Sequence, residues 1–78
     1  MHFKDTLTIE DPRNHPAETV AALRNLLVGG ARVNPDPKRS DFYELENCCD
    51  VYYIYISPVT GQVLLLATWK RKRAGAAA

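Results

Sequence analysis

The sequence predicts a small α+β domain of order β-α-β-β-β, with one helix packed on a four-stranded, mostly antiparallel sheet. Three observations carry that expectation. Residues 2 to 10 alternate apolar and polar side chains, the stretch from Pro16 to Gly30 repeats its apolar residues at helical spacing, and Val51 to Trp69, VYYIYISPVTGQVLLLATW, reads as two strands apolar on both faces. The chain has 78 residues, which makes a single domain with a thin core, since a domain this small buries only about 60% of its unfolded surface. Residues 1–70 are read as the domain and 71–78 as a frayed basic, Ala-rich tail.

In the first strand Phe3, Leu7 and Ile9 alternate with His2, Lys4, Thr6, Thr8 and Glu10, with Asp5 the one exception, which marks one buried and one wet face at a sheet edge. Pro12 and Pro16 end it, because neither donates to a ladder. Proline suits the first helical position, so the helix is placed from Pro16, with Glu18 opposing the positive end of its dipole. Val20, Leu23 and Leu27 form its apolar stripe, widened by Ala17 and Leu26, and Gly29 and Gly30 close it. The segment ARVNPDPKRSD, residues 31 to 41, holds two X-Pro pairs and reads as an extended surface loop. It leaves the direction of the first strand open.

Three strands follow at about 42 to 47, 51 to 57 and 62 to 70, the last two joined by Pro58 to Gly61, where Gly61 supplies positive φ. If Ser57 faces Gln62, Ile56 falls opposite Val63, Ile54 opposite Leu65 and Tyr52 opposite Ala67. The reverse side then pairs Tyr55 with Leu64 and Tyr53 with Leu66. Tyr43 and Leu45 join the first side, the seat of the helix. Phe42, Tyr53, Tyr55, Leu64 and Leu66 make the centre of the second, ringed by Glu44, Glu46, Ser57, Thr68 and Lys70. An apolar centre within a polar rim is interface anatomy, and a few hundred Å2 of such surface exceeds what a small monomer leaves wet.

Composition narrows the function classes. With 46% hydrophobic and 24% charged residues the chain is globular rather than disordered, and its formal net charge of +1 provides no global field for nucleic acid or membrane. No apolar run approaches the roughly 18 residues of a membrane span. The N-terminus lacks the apolar core of a signal peptide, so the expected location is cytoplasmic. Cys48 and Cys49 are adjacent in ENCCD and read as two reduced thiols in a turn; with His2 and His15 they form no zinc-ligand spacing, and neither a metal nor a cofactor is expected. Glu44 and Glu46 share a strand face, but without a nucleophile, metal ligand or phosphate loop they read as a solvated rim, and no catalytic residue is assigned. His15, directly before Pro16, reads as a capping-region residue.

The run Lys70, Arg71, Lys72 and Arg73 beside Tyr53 and Tyr55 is the one candidate nucleic-acid contact, since rings stack on bases while cations hold phosphates. A WW-type reading of Tyr52, Tyr53, Thr60 and Trp69 fails on spacing and on the missing downstream proline. The segment FYELENCCDVYYIYISPVTGQVLLLATWKRK resembles the C-terminal meander of RelE/HigB-type toxins, in which an E-L strand and a Y-x-Y strand precede a V-L-L strand ending in basic residues. Those positions are Glu44-Leu45, Tyr53 and Tyr55, Val63 to Leu65, and Lys70 to Lys72. The resemblance covers under half the chain and implies RNA contact through Lys70, Arg71, Lys72 and Tyr53. Such toxins are strongly basic and have a longer helical N-terminal part. They also carry arginines where this chain has Glu46 and Ile54. The expectation is therefore a non-catalytic interaction module that forms a homodimer or small homo-oligomer through its outer sheet face, with an RNA-binding or RNA-cleaving protein as the alternative.

Overall fold

The computed structural model describes residues 7–71. Phe3 and the first part of the expected edge strand, together with Lys72, Arg73 and the rest of the tail, lie outside the described residues. Within them the chain runs β1 (Ile9–Glu10), α1 (Ala17–Val28), β2 (Asn34–Pro35), β3 (Phe42–Glu46), β4 (Asp50–Ile56) and β5 (Val63–Lys70). The sheet order is β1-β5-β4-β3-β2, with β1 parallel to β5 and every other pair antiparallel. This is the small α+β domain expected, with five strands instead of four. The additional strand is Asn34–Pro35, placed by sequence in a loop: two residues pair with Glu44 and Tyr43 at the sheet edge, where a proline costs no ladder bond.

Pro16 directly precedes α1, and its carbonyl accepts from Thr19 and Val20 N–H. At the other end Gly30 takes φ +82, the Gly30 N–H bonds Leu27 O and the Ala31 N–H bonds Leu26 O, so the helix closes in a Schellman motif. Leu23 and Leu27 are fully buried against Leu45, Tyr52, Ile54, Ile56, Val63 and Leu65. Each such side chain contributes about 1.5–3 kcal/mol on burial. Val20, Ala22 and Leu26 flank this stripe, whereas Ala17, expected to widen it, is exposed in the first turn. Leu7 and Ile9 pack against the same core, and Arg24 Nε donates to Leu7 O at 3.0 Å, fixing the N-terminal stretch to the helix.

The β4–β5 pairing follows the expected register from Ile56–Val63 through Ile54–Leu65 and then shifts by one residue. Leu66 is the extra residue of a β-bulge, so Tyr53 faces Ala67, Tyr52 faces Thr68, Val51 faces Trp69 and Asp50 faces Lys70. The expected partners Tyr52–Ala67 and Tyr53–Leu66 are thus corrected. Beyond the bulge, side-chain alternation is inverted relative to the uninterrupted strand. Thr68 and Lys70, assigned to the outer rim, belong to the helix side with Tyr52 and Asp50. Ala67, assigned to the helix side, belongs with Tyr53. Among the described residues no helix is long and apolar enough to cross a membrane.

Candidate functional site

The helix covers one face of the sheet, and the other is organised around Phe42. Phe42 opens β3 directly opposite Tyr55 and diagonal to Tyr53. Its ring stacks on Tyr53 at 5.8 Å between centroids and 23° between planes, and meets Tyr55 at 5.2 Å and 57°. Both are favourable offset geometries. The Arg39 guanidinium stands 4.2 Å from the Phe42 ring centre, a cation–π contact. Tyr53 Oη donates to Asp36 Oδ2 at 2.6 Å. That bond holds the Asp36 carboxyl below its ordinary value and is the main cause that holds the Tyr53 phenol above its own. The β2–β3 connection thereby clamps the aromatic cluster from one side.

The five residues assigned to this face, Phe42, Tyr53, Tyr55, Leu64 and Leu66, are all half-buried. The structure brings them together and adds Trp69, which is 46% exposed and falls on the outer face opposite Val51. Sequence reading missed Trp69, Asp36 and Arg39. An unbroken apolar run carries no phase to reveal a bulge, and a loop of prolines and charges carries no sign of which strand it folds back upon.

The basic run is dispersed. Lys70 Nζ pairs with Asp50 Oδ1 at 3.2 Å, and Arg71 reaches Glu46 Oε1 at 3.5 Å and Asn47 O at 3.4 Å. Glu44 lies opposite Tyr53, exposed beside the aromatic cluster. His15 Nδ1 is tied to Asp11 Oδ1 at 2.7 Å in the turn before α1, both side chains mostly buried. On the helix side a hollow of about 490 Å3 is bordered by Glu18, Thr19, Ala22, Asp50, Tyr52, Thr68, Lys70 and, at the sheet end, Trp69. Three of its polar groups are engaged: Thr68 Oγ1 donates to Val51 O, Tyr52 Oη accepts from Asn47 Nδ2, and Lys70 holds Asp50. Burial, followed by the Asp50 charge, raises the Tyr52 phenol above its ordinary value, which keeps it neutral. Among the described residues no group of three or more His, Cys, Asp or Glu side chains is placed to hold a metal ion.

Fold and site together define a one-helix α+β domain with an aromatic, partly clamped sheet face. Comparison of the chain with protein-family models, with curated proteins and with solved structures finds no match in any of the three.

Proposed function

We propose that this chain is a non-catalytic interaction module that homodimerises through the outer face of its sheet. The supporting observation is the contiguous set Phe42, Tyr53, Tyr55, Leu64, Leu66 and Trp69 on the face opposite the buried helix stripe. The Phe42, Tyr53 and Tyr55 rings are held in place before any partner arrives, by stacking, by Arg39 and by Asp36, so these three lose little side-chain freedom on association. A twofold contact places the same patch against itself. The rim suits that arrangement, because exposed Glu44 and Glu46 share it with Arg39, giving each copy both signs of charge to offer the other. The exposed thiols of Cys48 and Cys49 suit the reducing cytoplasm.

Two features favour this reading over RNA contact. Lys70 and Arg71 are engaged with carboxylates, and Lys70 lies on the helix side, away from Tyr53. Sedimentation equilibrium at micromolar concentration tests the proposal: the expected mass is that of two chains, and a single species of one-chain mass overturns it. Affinity for single-stranded RNA that falls steeply with added salt would replace it with the RNA reading.

A further inference from the structure

We propose that Cys48 and Cys49 form a two-point binding site for a trivalent thiophilic centre, the chemistry of an arsenic(III) compound. With Asn47 the two residues make up the three-residue loop of the β3–β4 hairpin, and their Sγ atoms stand 3.1 Å apart, unbonded and exposed. The turn is held from both sides. Asn47 Oδ1 accepts from the Cys49 and Asp50 N–H groups at 2.8 and 2.7 Å, Asn47 N–H bonds Asp50 O, and Cys49 O accepts from Arg71 N–H at 2.9 Å. A fixed backbone presenting two free thiols on one side is a preformed chelate. The sulfurs border a hollow of about 360 Å3 with Lys70 and Arg71, which leaves room for a substituent carried by the bound centre.

The short sulfur separation favours a compact centre. A tetrahedral zinc with bonds of about 2.3 Å sets two thiolates about 3.8 Å apart, and a linear two-coordinate ion sets them wider still. A pyramidal trivalent centre, whose bonds meet nearer a right angle than a tetrahedral one, takes a closer pair of sulfurs, nearer the 3.1 Å of the hairpin. No third ligand is required, in keeping with the absence of any larger ligand group among the described residues. The reaction involves no electron transfer. An arsine oxide R–As=O takes two thiols, both S–H bonds break, two As–S bonds form, and the two protons leave with the oxygen as one water.

Reduced full-length chain treated with phenylarsine oxide tests the site by intact mass spectrometry. The expected product carries one phenylarsenic unit per chain, survives excess glutathione, and is stripped by 1,2-ethanedithiol. Cys48→Ser and Cys49→Ser, both at exposed turn positions and each checked for folding by circular dichroism, should each lose retention against glutathione on the order of 10²-fold, because the second bond is no longer intramolecular. Equimolar zinc should leave uptake unchanged. A single-serine variant that holds the arsenical as firmly as the parent, or a parent that yields it to glutathione as readily as the variants, would overturn the two-point site; zinc that blocks uptake would overturn the geometric assignment.

Discussion

Asp36 and Tyr53 show how one contact links a loop to a functional face. The Tyr53 hydroxyl donates to the Asp36 carboxylate, so the bond favours a charged aspartate and a neutral phenol. The Asp36 carboxyl sits below its ordinary 3.8, and its contribution to stability is present above that value and lost as pH falls through the lowered one. The Tyr53 phenol sits above its ordinary 10.0, and its contribution is complete below that value and lost as pH rises through the raised one. Ultraviolet titration, with Tyr53→Phe to assign the signal, should show the Tyr53 phenol ionising above 10.0 in the parent and returning toward it in Asp36→Ala. An unchanged titration in Asp36→Ala would contradict the contact. Gly30 gives a second test at this scale. At φ +82 with no heavy atom within 4 Å of an added Cβ, Gly30→Ala meets backbone strain and no clash. It should cost about 1–2 kcal/mol, measured by urea unfolding. Gly30 was legible as a helix stop, since only its position after an apolar stripe mattered, whereas Asp36 looked like any loop acid.

The decisive element is β5. The residues VLLLATWK give strand propensity and burial but no alternation, so their facing has to come from pairing. Counting outward from Ser57 and Gln62 works while the ladder is regular, which is why Val63, Leu64 and Leu65 fall where the sequence places them. It fails at Leu66, where one extra residue reverses the faces of Ala67, Thr68 and Lys70 and brings Trp69 to the outer surface. The helix and β3 were legible for the opposite reason, as their polar residues mark the wet side, and β4, itself apolar on both faces, took its facing from regular pairing with β3. Deletion of Leu66 tests the bulge. It should restore an uninterrupted ladder while keeping Tyr52 opposite Thr68 and Val51 opposite Trp69, seen as cross-strand nuclear Overhauser contacts. A deletion variant that instead pairs Tyr52 with Trp69 would contradict the assignment of Leu66 as the inserted residue.

At the scale of the whole molecule, one helix meets a sheet with two apolar faces. The helix side is closed by Leu23 and Leu27 over Leu45, Ile54, Val63 and Leu65. Among the described residues the outer side receives the Asp36 and Arg39 contacts from the β2–β3 connection, with Trp69 exposed at its margin. A second copy on this face would add burial at about 25 cal/mol per Å2 of apolar surface before the cost of association. That the sheet has an outer apolar face was legible from the strand periodicity; its occupant was not, because self-association and recognition of another protein draw on the same side chains. The most direct test is the solution mass of the parent beside that of a variant carrying Tyr55→Glu and Leu66→Lys, both on the outer face and outside the helix-side core. The expected result is a dimeric parent and a folded, one-chain variant; two equal masses would rule out dimerisation through this face.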